Sequence, residues 1–289
     1  MSGGASDHLG LAAHWLTIDR PQRALDELAR AGDQAGSPLG LLLRGHALLA
    51  LRRFAEAERA ASIALRDAPD DVELLALLGD ARRESGQLVE AEEAYLAALR
   101  VRPDDASLLC SYARLLAEAG QPGKAERLVE RAAELDPESA EVEATRALVA
   151  WVRGRVEVVG EGAQRLLAAQ PDGRAGHAFA GLAATATARY RTARRHFDVV
   201  AAADPSDADA VDTARQIRIA AHPALTPMRI VDRWGPGLVW LATVVVGTVL
   251  MVAGQIAAAG VVIATYFLFT VYSWTAPRAV SWWVGRTRP

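Results

Sequence analysis

Six histidines, one cysteine and thirty-five carboxylates are the side chains of this 289-residue chain best suited to chemistry. A zinc-protease helix carries two histidines four residues apart with a glutamate between them, because that spacing turns both imidazoles toward one metal. His8, His14, His46, His177, His196 and His222 contain no such pair. Cys110 is the single cysteine, so neither an internal disulfide nor a thiolate cluster can form, and a reducing compartment is the simplest setting. Near the middle of a helical pattern and with no base to assign to it, it reads as a buried or half-buried thiol. A phosphate-binding G-x-x-x-x-G-K-[ST] loop and a G-x-S-x-G elbow do not occur. Carboxylates such as Glu92 and Glu93 fall on solvated helix faces, whereas acid–base catalysis requires a pocket. The expectation is a protein that is not an enzyme, with no catalytic residue, no metal and no cofactor.

Charge is the next resource. The formal net charge is −3, and the arginines are not interleaved with aromatics, so nucleic acid is not an expected partner. One basic cluster is dense: Arg189, Arg191, Arg194, Arg195 and His196, followed by Arg215 and Arg218. Anionic lipid headgroups attract such a cluster at about 1 kcal/mol per basic residue. The alternative is a plain solvated face.

The elements that must position these residues show themselves as a repeat. Pro69, Pro103, Pro137, Pro171 and Pro205 are each 34 residues apart. Gly45, Gly79, Ala113, Ala147 and Gly181 keep the same step, as do Ala57, Ala91, Ala125, Val159 and Ala193. Apolar residues between them recur at helical spacing, for example Leu74, Leu75 and Leu78, then Leu88, Ala91 and Tyr95. Gly86, Gly120 and Gly154 mark a turn inside three of the units. Each unit is therefore two short amphipathic helices. A small residue lets the second helix approach the first, the proline closes the unit, and an acidic residue after it caps the next helix. One such pair cannot bury its apolar face alone, so neighbours must stack.

With Leu75, Leu78, Gly79, Ala91, Tyr95, Ala98 and Pro103, the cleanest unit resembles the tetratricopeptide repeat family. The likeness covers roughly residues 9–205 in about six copies. The first, Leu11–Trp15 with Ala24–Ala31, is truncated. The copy closing at Pro171 is degenerate, with Glu143, Arg146 and Val159 at its register positions. The resemblance implies an all-α, tetratricopeptide-like right-handed superhelical solenoid whose first helices line a concave, partner-binding groove. By register that groove takes in Leu42, His46, Asp80, Arg83, Arg114, Leu148, Trp151 and Leu182, with Ala76, Cys110, Ala144 and Ala178 beside them. Asparagine is absent, so the carboxylate clamp of the chaperone-binding subgroup is missing. Protein or peptide partners of unknown identity are implied.

The final stretch is different. Between Arg233 and Arg278 no residue is charged. As one helix this run would measure about 66 Å at 1.5 Å per residue, against a hydrocarbon core of about 30 Å. Two spans fit, Trp234–Ala253 and Ile256–Trp274, broken at Gly254-Gln255. Tryptophan and tyrosine cluster at the outer ends, as aromatic belts do. Arg229, Arg233, Arg278 and Arg286 flank the run on one side, which places both ends in the cytoplasm. Met1–Gly10 lacks the features of a signal peptide, in keeping with a cytoplasmic repeat domain. The expected order is a flexible N-terminus to residue 8, repeats over 9–205, a capping helix over 206–221 and a linker over 222–233. A transmembrane helical hairpin over 234–275 and a basic, aromatic tail follow. The functional expectation is a scaffold at the cell membrane that recruits partners through the groove, with membrane lipids as a second contact. The alternative is an accessory subunit of a membrane transport or envelope-biogenesis complex, contacting partners through the hairpin.

Overall fold

A computed structural model describes residues 3–205, 207–226 and 235–286, and over these the chain forms fifteen α-helices and no strand. It divides into two units, Met1–Ala169 and Gln170–Pro289.

Unit 1 holds five helix pairs. They are α1 (Gly3–Thr17) with α2 (Pro21–Arg30), α3 (Pro38–Ala50) with α4 (Phe54–Ala64), and α5 (Val72–Glu84) with α6 (Leu88–Val101). Then come α7 (Ala106–Glu118) with α8 (Pro122–Leu135), and α9 (Ala140–Val152) with α10 (Val156–Ala169). Helix α1 already begins at Gly3, within the stretch expected to be flexible.

The helix ends repeat as regularly as the prolines. Ser37, Asp71, Asp105 and Ser139 each accept a hydrogen bond from a backbone N–H in the first turn of the following helix. They satisfy donors that a helix start leaves open. At the other end, the chain must reverse within two or three residues. Arg52, Gly86, Gly120 and Gly154, again 34 apart, all take the left-handed conformation, with φ between 58° and 79°. The amide of the next residue reaches back five positions, as Gln87 N does to the Arg82 carbonyl at 2.9 Å, which closes a Schellman turn.

Glycine at the register position within the first helix controls how close the neighbours come. A Cβ on Gly79 would sit 2.7 Å from the Tyr95 ring, carried by the other helix of the same pair. A Cβ on Gly45 would instead strike the side chain of Leu77, which belongs to the next pair. In the α3–α4 pair the position equivalent to Tyr95 is only Ala61, so the next pair fills the space. Tyr95, Leu74 and Leu77 are fully buried, and burial of such a side chain is worth roughly 1.5–3 kcal/mol. The first helices α1, α3, α5, α7 and α9 lie side by side, while each second helix from α2 to α8 packs between its own partner and the next first helix. The core is thus continuous from pair to pair, with Leu108 and Leu115 of α7 joining Tyr95 of α6 in one cluster.

Unit 2 contains one further pair, α11 (Arg174–Ala186) with α12 (Tyr190–Ala203), then α13 (Ala208–Ala220) and a 3-10 turn, Pro223–Leu225. A Cβ on Gly181 would meet the Phe197 ring at 2.8 Å, as one on Gly79 would meet Tyr95, and Asp207 caps α13. Helices α14 (Pro236–Val252) and α15 (Ile256–Arg286) pack against each other around a turn at Gly254, whose φ is 74°.

The segment Ile256–Trp282 is long and apolar enough to cross a membrane; α14, at 17 residues, is shorter. The helix that carries the expected second span, Ile256–Trp274, continues through Pro277 to Arg286. Pro277 removes the amide that would bond the Ser273 carbonyl, yet the helix runs on through it, while the hydroxyls of Ser273 and Thr275 donate to the Thr270 and Val271 carbonyls one turn back.

Candidate binding faces

The first-helix face of unit 1 is built by register. His46, Asp80, Arg114 and Leu148 stand at one position of four successive first helices; Glu73, Ser107 and Glu141 stand at another. Between α3, α5 and α7 this face opens into a cleft of about 320 Å³ lined by His46, Glu73, Asp80, Ser107 and Ser111, with Arg102 and Asp105 at one edge. His46 keeps an edge in solvent, yet burial pushes its imidazole below the ordinary histidine value, against the pull of Asp80 and Glu73.

Asp80 is held from behind. The Tyr95 hydroxyl donates to its Oδ1 at 2.6 Å. Burial raises the Tyr95 hydroxyl pKa well above its usual value, and the Asp80 carboxylate raises it further, so it remains a donor. Arg83, one turn along α5, points along the face and not out of it. Its guanidinium donates to Glu118 of α7 at 2.5 Å and pairs with Glu84. Burial opposes its charge, but Glu118, Tyr95, Glu84 and Asp80 together outweigh it and the net pKa shift is upward. Arg114 donates to Ser111 at 2.8 Å and to Glu141 of α9 at 3.0 Å. The two arginines expected to await a partner thus already tie neighbouring first helices together. Leu148 and Trp151 are half-buried on α9.

Two expected lining residues lie inside the core. Leu42 is buried in a cluster with Leu74, Leu77 and Leu78, because the neighbouring first helix covers that position. Cys110 is fully buried, and burial pushes its thiol up, which leaves it a packing group. Ala76 and Ala144 are half-buried in unit 1. Leu182 and Ala178 belong to unit 2, where Leu182 is packed beside Ala184, Ala193 and Phe197.

Sequence reasoning missed the cross-links between pairs. Asp104 with Arg131, Arg114 with Glu141, and Glu126 with Arg153 are bonded at 2.8, 3.0 and 2.6 Å. Each pair is 27 residues apart, so the signal was present as opposite charges at a constant offset. It also missed a histidine pair in unit 2. His177 and His196 bring their Nδ1 atoms to 2.9 Å, and His177 Nε2 lies 3.0 Å from the Pro171 carbonyl. Burial and then the neighbouring His177 hold His196 below the ordinary histidine value. Among the described residues, no three His, Cys, Asp or Glu side chains converge as metal ligands.

The basic cluster of unit 2 is resolved residue by residue. Asp198 takes both Arg194 and Arg218, at 3.3 and 2.8 Å. Arg189 donates to the Thr187 hydroxyl at 2.9 Å. Arg191 and Arg195, one turn apart on α12, are exposed and have no ion-pair partner among the described residues. Arg278 is exposed on α15. Arg229 and Arg233 lie outside the described residues, as does the side chain of Arg286. Along α14 and α15, Leu238, Trp240, Val249, Ile256, Phe267 and Leu268 are all at least half exposed.

Sequence profiles of the tetratricopeptide repeat match residues 42–106 and 82–149. Among solved structures, a thermophilic TPR protein of Thermus thermophilus is similar over 63% of this chain and 98% of its own, at 20% identity and a TM-score of 0.57. PilW, a widely conserved type IV pilus biogenesis factor, is similar over 72% of this chain and 97% of its own, at 16% identity and a TM-score of 0.55. Pseudomonas aeruginosa pilF is similar over 74% and 98%, at 12% identity and a TM-score of 0.51. At these identities the likeness is one of fold. No relative of curated function matches the chain.

Proposed function

We propose, for a chain whose repeats are tetratricopeptide repeats, a membrane-anchored interaction scaffold that recruits proteins or peptides through the first-helix face of unit 1. Tetratricopeptide repeats mediate protein–protein interaction, and an open face with a polar cleft suits an extended chain better than an enclosed reaction. The observation that carries the anchoring is the uncharged run folded as two helices whose valines, leucines and aromatics stay exposed. In water such a surface is unfavourable; in lipid it is the solvent-facing side. With arginines flanking one side, both termini and the repeats belong in the cytoplasm. Fixing the face at a bilayer raises its effective concentration toward membrane-resident partners.

The test has two arms. The full chain should stay in the membrane pellet through alkaline carbonate, and a C-terminal reporter should read as cytoplasmic. Crosslinking in native membranes should then capture partners that are lost on Trp151→Ala. Release by carbonate overturns the anchor; unchanged capture overturns the face. A second reading, an accessory subunit that docks through the hairpin, draws on the apolar groove of about 380 Å³ between α14 and α15, lined by Val239, Val262, Tyr266 and Phe269. Capture that survives Trp151→Ala but disappears when the hairpin is replaced by an unrelated one favours it.

A further inference from the structure

Helix α15 is more than a span. Ile256 to Pro277 is uncharged and measures about 33 Å at 1.5 Å per residue, which matches a hydrocarbon core of about 30 Å. Arg278 then falls at headgroup depth. Helix α15 packs against α13 and the Pro223–Leu225 turn, and at this end of α15 Ala276 and Val280, one turn apart, are buried. Helix α13 in turn packs on α12. Packed helices lie about 8–10 Å apart, so α12 is held within about 20 Å of a helix that enters the bilayer.

What α12 offers there is unneutralised charge. In unit 1 the arginines are mostly answered by acids: Arg83, Arg114, Arg131, Arg146, Arg153 and Arg165 all sit in ion pairs. Arg191 and Arg195 are not, and Asp198 is already occupied by Arg194 and Arg218. The units differ in sign as a whole. Residues 1–169 carry 20 basic and 28 acidic side chains, whereas residues 170–289 carry 12 and 7.

We propose that unit 2 rests on the anionic bilayer surface through Arg191 and Arg195, which contact the phosphate-bearing headgroups of acidic phospholipids. This rests on the membrane reading above and adds a lipid class and a contact face to it. The attraction of each arginine corresponds to about a five-fold bias toward the bound orientation.

The experiment uses the full chain, Cys110→Ala, with a spin label at Thr192→Cys, an exposed position between the two arginines. It is placed in nanodiscs of phosphatidylcholine alone or with phosphatidylglycerol. Carbonate-resistant insertion is checked separately, so loss of the anchor and loss of the contact are told apart. The label should be reached by a lipid-tethered nickel chelate in the anionic discs and much less in the neutral ones. Arg191→Gln with Arg195→Gln should return it to the neutral-disc level, a change of about 25-fold in the bound-to-free ratio. Arg194→Gln should leave most of the effect, because that side chain already serves Asp198. Equal accessibility in both discs for an inserted chain overturns the proposal. A loss with Arg194→Gln as large as with the double variant overturns the choice of face.

Discussion

Unit 1 and the first helices of unit 2 use the same grammar with opposite charge. Both set a glycine of a first helix against an aromatic ring of the second, Gly79 on Tyr95 and Gly181 on Phe197. Asp207 caps α13 at the register of Ser37, Asp71, Asp105 and Ser139, whereas Gly173, at the same register before α11, provides no side-chain cap. Unit 1, however, turns its arginines on its own acids and ends with an excess of eight carboxylates, while unit 2 has five more basic than acidic side chains. The packing rules of a helix pair leave the outward positions free, so one repeat can be a cross-linked scaffold and another a cationic face.

The largest effect should come from breaking the shared rule. Gly79→Leu forces a side chain into the Tyr95 ring and should cost about 3 kcal/mol or more. Gly181→Leu, against Phe197, should cost a similar amount, read as the midpoint of thermal unfolding of the full chain in detergent. If Gly79→Leu is harmful and Gly181→Leu is silent, the two units do not share a packing rule.

Next in size is the charge difference. Arg83→Ala removes a mostly buried guanidinium from Glu118 and Glu84 and should destabilise unit 1 by about 1–2 kcal/mol. Arg191→Ala, an unpaired surface change in unit 2, should stay within about 0.5 kcal/mol. Equal losses would mean that the ion pairs of unit 1 contribute nothing beyond surface arginines.

The third prediction improves the protein. Ala188, 34 residues after Gly154, takes the same left-handed turn with φ of 56° but carries a Cβ. Ala188→Gly should raise stability by up to about 1 kcal/mol, whereas Gly154→Ala should lower it by a similar amount. A melting midpoint that falls with Ala188→Gly would show that the turn of unit 2 is not strained in the way its φ implies.

The smallest effect is on pH. Burial lowers the pKa of both His46 and His196 from 6.5. The unfolded chain then takes up protons first, so stability falls as pH drops from 6.5 toward the lower folded values and flattens below them. Asp80 and Glu73 oppose the shift at His46, while His177 adds to it at His196, and either His46→Gln or His196→Gln should flatten the fall. Melting midpoints across mildly acidic pH, read for both variants, decide it.

The pair architecture was legible because a period cannot hide: prolines, caps and left-handed turns all fall on one step of 34 residues. Leu42 was misplaced because register gives a position on its own helix and says nothing of which neighbour covers it. The Arg83–Glu118 and Arg114–Glu141 bonds were missed for the same reason, since they join different repeats. The His177–His196 contact occupies register positions that hold Leu75 and Ala94 in the cleanest unit, both buried, so spacing alone offered no reason to pair them. That α15 runs on to Arg286 was not legible, because the end of an uncharged run marks a change in composition, and helical backbone can continue through such a change.

Gly45 shows that these modules are not interchangeable. Its space is filled by Leu77 from the following pair, whereas Gly79 is filled by Tyr95 from its own. At the position of Leu77 the later pairs carry Ser111 and Thr145; at the position of Tyr95 the earlier pair carries Ala61. A bulky residue from inside the pair goes with a small one from outside it, and the reverse. Deleting the α5–α6 pair would leave only Ala61 and Ser111 over Gly45, and duplicating it would set both Tyr95 and a second Leu77 over Gly79, so the place of this pair in the order is itself written into the core.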